Sequence, residues 1–228
     1  MNKLIDKDLV DRVLVEIDEL EKEYQACQGL ILTETDLQAN LFSRLKRLFN
    51  DSYETINRGT FGSPLHTEVK FFDQIGKLTM VPDICIIAPE HLSIYHSVEF
   101  QLEFFSYRKY SSKRFEIGGD AIIIELKFCR EQSGISEKHI ASFQRDINKI
   151  LKLQELVRTR SQGWDRLYGI FAVFNKTNSG KDNFDNFHKR NYKYHQIETV
   201  YKTGNADFSK PENQREQHGF ILTSHTAC

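Results

Sequence analysis

The chain has 228 residues, 39% of them hydrophobic and 28% charged, and a formal net charge of −1. That composition belongs to a globular protein able to build one sizeable core without disulfide staples, and no apolar run nears the roughly 20 residues of a membrane span. Near-neutral charge excludes a partner held by the overall field, so any basic surface has to be local.

The N-terminus MNKLIDKDLVDRVL carries early acids and lacks an apolar core, so no cleavable leader is expected. A helix is predicted over residues 4–27, where Ile5, Leu9, Val13, Ile17 and Leu20 recur at helical spacing and Asp6, Asp8 and Asp11 suit the positive end. A second helix follows LILT. Thr33 with Asp36, or Thr35 with Gln38, has capping-box spacing, and Leu37, Leu41, Leu45 and Leu48 mark a buried stripe. A loop with Gly59, Gly62 and Pro64 leads to two strands, LHTEVKFF over 65–72 and LTMVPDICIIA over 78–88, joined by a tight turn at QIGK.

After a long excursion comes the strand AIIIELKFCR, residues 121–130, then an amphipathic helix with Ile140, Phe143, Ile147, Ile150 and Leu151 as its buried stripe. The last apolar strand is RLYGIFAVFNK, 166–176. A helix between two apolar strands implies a right-handed crossover and a parallel pair, hence an α/β sheet flanked by helices. Beyond Lys176 the composition turns polar. Docked structure is expected to about residue 202, making 1–202 a single domain, with a loosely held tail over 203–228.

Of the four cysteines, Cys27, Cys85, Cys129 and Cys228, none forms a C-x-x-C pair, which argues against a zinc site of that type. Cys85 and Cys129 lie in apolar runs where a free thiol acts as a small hydrophobe. A reducing, cytoplasmic setting is expected.

Three charges interrupt the apolar strands. Glu125 and Lys127 sit two residues apart, on one face of the strand. Burying such charges costs roughly several kcal/mol each unless they are paired. Asp83 sits between MVP and ICII, and Pro82 removes a ladder donor, which suits an edge or an irregular position. If the two strands are neighbours, Asp83, Glu125 and Lys127 converge. Two carboxylates on rigid strands suit a hard divalent cation, and a nearby ammonium suits a water or a developing negative charge. Together they suit metal-assisted phosphodiester hydrolysis. The bland alternative is a solvated pair on a half-covered sheet with a turn aspartate nearby.

The pattern VPD followed by IELK resembles the PD-(D/E)xK nuclease superfamily, the restriction-endonuclease-like fold, over residues 33–176. The resemblance implies a central mixed four-stranded sheet in the order αβββαβ. It implies metal ligands at Asp83 and Glu125, a catalytic lysine at Lys127, and Mg²⁺ as cofactor with Mn²⁺ as substitute. Many members add a glutamate from the first helix or strand, where Glu34 and Glu68 stand, Glu68 being favoured. Some use a glutamine on the following helix, where Gln144 stands. Where one branch of the family has a tyrosine four residues later, this chain has Asn148. His66 is either a metal or phosphate aid or an ordinary hydrogen-bonding strand histidine. Asp146 and Lys149, one helical step apart, read as a surface ion pair.

The spacing from Asp83 to Glu125 departs from a simple hairpin and implies an insertion over about 89–120. There FSYRKYSSKRF interleaves Arg108, Lys109, Lys113 and Arg114 with Tyr107, Tyr110 and Phe115, cations for phosphates and rings for bases. FHKRNYKYH, 187–195, has the same character. The expected activity is Mg²⁺-dependent hydrolysis of DNA in restriction, defence or repair, with a homodimer needed for double-strand cutting and a protein partner as a route to targeting. The rivals are a catalytically inactive nucleic-acid- or protein-binding module on the same fold, and a metal-free α/β protein in which the motif is coincidence.

Overall fold

The structure is a computed structural model that describes residues 4–49, 52–55, 59, 61–73, 77–89, 98–102, 106–110, 119–160, 167–194 and 196–207, with only the backbone for 98–102, 106–110 and 160. Helix α1 (Lys7–Ala26) begins where the Asp6 carboxylate accepts from the Leu9 N–H at 2.9 Å, and it buries Leu9, Val13, Ile17, Leu20 and Tyr24 along one stripe. A short 3₁₀ turn (Gln28–Leu30) leads to α2 (Glu34–Lys46). Thr33 and Asp36 close a reciprocal capping box, so two orphan N–H groups at this helix start are satisfied locally.

Short strands follow: β1 (Tyr53–Glu54), β2 (Phe61–Gly62), β3 (Leu65–Thr67), β4 (Phe71–Phe72), β5 (Leu78–Met80), β6 (Ile84–Ile87), β7 (Val98–Leu102) and β8 (Ser106–Tyr110). Then come β9 (Ala121–Cys129), α3 (Glu137–Arg160), β10 (Leu167–Asn175), α4 (Lys181–Asn191) and β11 (Ile197–Thr203). The chain is α/β, with a mixed five-stranded sheet ordered β11-β10-β9-β6-β3. Strands β9, β10 and β11 are parallel, as expected where helices make the connections, and β6 and β3 are antiparallel.

Three expectations need correction. The sheet has five strands, not four, because the polar segment beyond Lys176 supplies α4 and the edge strand β11. Residues 204–207 also continue the docked structure, with Gly204 and Ala206 donating to the carbonyls of Asn175 and Lys176. The segments 65–72 and 78–88 are not continuous strands. Each breaks at the same level, one at Glu68 (φ 53°) and the other at Val81–Asp83 around a proline that has no N–H. The outer halves pair as the β4–β5 hairpin, tied by Asp73 and Lys77, and the inner halves join the main sheet.

Strand alternation gives the sheet two apolar faces. Ile122, Ile124, Leu126, Ile170, Ala172 and Phe174 pack with α1 and α2. Cys85, Ile123, Cys129, Phe171 and Val173 pack with Phe143, Ile147 and Ile150 of α3 and Phe184 and Phe187 of α4. Glu125 and Lys127 share the parity of Ile123 and Cys129, so they belong to the α3 face. Among the described residues no helix is long and apolar enough to cross a membrane.

Phe171 is fully buried, with its ring 5.3 Å from Phe143 and 5.6 Å from Phe187, where the sheet meets both α3 and α4. Phe171→Ala is expected to destabilise the fold by about 3–5 kcal/mol, read as a lowered urea midpoint. A loss under about 1 kcal/mol would contradict this packing.

Candidate active site

Strand β6 pairs with only the first part of β9, Ile84 opposite Ile124 through Ile87 opposite Ala121. On its other side β9 is paired with β10 along its whole length. The N–H groups of Leu126 and Phe128 therefore face a gap where β6 has not yet begun. Two carboxylates fill it. Asp83 Oδ2 accepts from Leu126 N at 2.7 Å, and Glu34 Oε2 accepts from Phe128 N at 3.1 Å. Charge-assisted bonds of this kind fix both carboxylates to the strand edge. Helix α2 is tied to the same place, since Gln38 Nε2 donates to the Asp83 carbonyl at 2.6 Å.

Asp83 stands just before Ile84, which pairs with Ile124, close enough for its charge to act on Glu125 and for that of Lys127 to act on it. Lys127 completes the group. Its Nζ lies 2.9 Å from Glu125 Oε1, 3.4 Å from Asp146 Oδ2 and 3.9 Å from Glu34 Oε1. The side chains of Glu125 and Asp146 are only 8% and 7% exposed, so these are interactions in a poorly hydrated setting. Asp146 Oδ1 is held in turn by Lys149 at 2.7 Å.

Burial dominates the electrostatics. It pushes the Glu125 carboxyl up to about 7; the Lys127 charge pulls the other way, while Asp83 and Asp146 reinforce the rise. Asp83 is also raised, chiefly by burial, against the Leu126 N–H and the Lys127 charge. Burial works against the Lys127 ammonium, but Glu125, Glu34 and Asp146 together outweigh it and hold the lysine more firmly protonated than usual. Among the described residues, the carboxylates of Glu34, Glu125 and Asp146 thus surround Lys127, with Lys149 on the outer oxygen of Asp146.

The structure brings together Asp83, Glu125, Lys127 and Glu34. Glu68 stands next to Asp83 through the backbone, its N–H donating to the Asp83 carbonyl at 3.3 Å, and its side chain is exposed. His66 lies opposite Cys85 on β6, half-buried, with Nε2 buried and lacking a hydrogen bond, and burial lowers its pKa. Gln144 does not face the cluster. Helical geometry turns it towards α4, where it exchanges hydrogen bonds with Asn191 at 3.2 and 3.3 Å. Lys113 and Arg114 lie outside the described residues, and Arg108 and Lys109 fall on β8, in register with Phe100 and Glu99.

The reading of Asp146 and Lys149 as a surface pair is corrected: Asp146 is buried against Lys127. The signal for this was present. Asp146 follows Phe143 by three residues and precedes Ile150 by four, which places it on the apolar stripe of α3. Gln38 was also missed as a site residue. It lies one turn after Glu34, on the same flank of α2. Among the described residues no group of three or more His, Cys, Asp or Glu side chains is spaced to hold a metal ion. No protein-family model matches the chain, and comparisons with curated proteins and with solved structures give no match.

The raised Glu125 pKa has a definite sign for stability. Between its ordinary 4.5 and about 7 the folded chain holds this proton and the unfolded chain does not. Its contribution is therefore full below about pH 4.5 and is lost as pH rises through about 7, a change of up to about 3 kcal/mol. Glu125→Gln removes this dependence. Its urea midpoint should exceed that of wild type at pH 8, with the gap closing towards pH 5. A variant less stable than wild type at pH 8 would contradict the assignment.

Proposed function

We propose that this chain is a metal-dependent nuclease of the restriction-endonuclease-like type, acting on DNA phosphodiester bonds. The observation that carries the reading is the convergence of Asp83, Glu125 and Lys127 where the β6–β9 pairing ends. The element order also supports it: α2, β3, β6, β9, α3 and β10 run as helix, three strands, helix, strand. In this reading β7 and β8 are the insertion, and α1, α4 and β11 are additions to the core.

The donor set fits a hard divalent cation. Asp83 and Glu125 offer carboxylate oxygens whose charge burial disfavours, so a cation supplies the positive charge that the cluster lacks. Two protein carboxylates suffice for Mg²⁺, which keeps several waters or takes phosphate oxygens. When bound there, the ion would act as a Lewis acid towards a phosphate oxygen and would acidify a water.

The chain's own residues do the rest. The Leu126 N–H fixes the orientation of the Asp83 carboxylate. Lys127 stays protonated, so its ammonium donates to the attacking water and offsets negative charge gathering on the scissile phosphate. Arg108 and Lys109 on the β7–β8 hairpin, with Lys113 and Arg114 after it, supply cations for the DNA backbone. One observation favours a second reading, a binding module: every close partner of Lys127 is a carboxylate of the chain itself.

Cleavage of plasmid, linear and single-stranded DNA with Mg²⁺ or Mn²⁺ tests the proposal. Wild type is expected to cut only with metal, and Glu125→Ala and Lys127→Ala should each lose about 10²–10³ in rate. No cutting by wild type, with DNA binding equal in all three proteins, would establish the binding module instead.

A further inference from the structure

Lys127 has more acidic neighbours than one ammonium needs, and they differ in kind. Glu125 is the closest, at 2.9 Å, and lies on the same strand. It is also the carboxylate that the proposed function assigns to a divalent cation, and a doubly charged ion competes with an ammonium for the same oxygens. Of the other two neighbours, Glu34 is 45% exposed, stands 3.9 Å away and already accepts the Phe128 N–H through its second oxygen. Asp146 is different. It is buried on the apolar stripe of a 24-residue helix, its Oδ1 is anchored by Lys149, and its Oδ2 faces Lys127 at 3.4 Å. Among the described residues it does not complete a three-ligand group with Asp83 and Glu125. Both of its oxygens face ammonium groups, Oδ1 that of Lys149 and Oδ2 that of Lys127.

We propose that Asp146 is the positioning residue of Lys127: as Glu125 engages a divalent cation, Lys127 releases Glu125 and is retained at the site by Asp146. This rests on the proposed function. Without Asp146, the released ammonium would have, among the described residues, the exposed Glu34 or solvent to turn to, so cation entry would become harder and the lysine would leave the place where water and phosphate are to meet.

A double-mutant cycle on Mn²⁺ affinity, read by calorimetry or by the spin resonance of free Mn²⁺ without DNA, tests this. Asp146→Asn is expected to weaken Mn²⁺ binding about tenfold when Lys127 is present, and less than about twofold in a Lys127→Met background, where no ammonium needs rehousing. Asp146→Ser serves as a second variant should the amide destabilise the helix. Equal weakening in both backgrounds, or none in either, would overturn the handover while leaving the nuclease reading intact. Absence of Mn²⁺ binding by wild type would overturn both.

Discussion

Two backbone N–H groups, those of Leu126 and Phe128, determine how this site is built. They lie on β9 beyond the point where β6 begins, so β6 does not satisfy them. The Leu126 N–H is partly buried and the Phe128 N–H is at the surface, and the chain answers both with carboxylates instead of backbone carbonyls. Asp83 reaches one from the entrance to β6, and Glu34 reaches the other from the first turn of α2. Acids therefore accumulate at this edge for a structural reason. The broken strands are part of the same arrangement. The proline before Asp83 and the positive φ of Glu68 end the regular ladder at one level, and that break leaves the edge of the C-terminal half of β9 to Asp83 and to Glu34 of α2.

The accumulated charge is costly. Glu125 and Asp146 are buried, Asp83 is largely shielded, and among the described residues Lys127 stands between Glu125 and Asp146, with Lys149 on the far side of Asp146. Burial pushes the Asp83 and Glu125 carboxyls towards their neutral forms, and the Lys127 charge opposes this without cancelling it. A hydrophobic core of the same shape would be more stable. Under the proposed function, a divalent cation would relieve this local cost.

Much of this was legible in the sequence, and the reasons are physical. Strands β9 and β10 and helix α3 stood out because burial on both sides forces continuous apolar runs and a clean helical stripe. Glu125 and Lys127 were visible as exceptions within such a run. The polar helix α4 and edge strand β11 were harder to see, because α4 buries little beyond Phe184 and Phe187, and β11 alternates imperfectly as I-E-T-V-Y-K-T. Asp146 escaped because a charge beside a lysine reads as surface, although its spacing from Phe143 and Ile150 marked it as inward. Glu34 was legible only as one of two alternatives, since its role depends on where α2 lies against β9. No periodicity carries that information. Gln144 misled because its helix position differs from that of Asp146 by two residues, roughly 200° around the axis.

Uptake of a divalent cation by Asp83 and Glu125, as proposed, would stabilise the folded chain. Thermal unfolding of wild type and Glu125→Gln across increasing Mg²⁺ at pH 7 tests it most directly. The account predicts that the wild-type Tm climbs with the logarithm of Mg²⁺ concentration, as binding to the folded state requires, while the variant starts higher and stays flat. Two proteins that respond alike, or a wild type that does not respond at all, would contradict it.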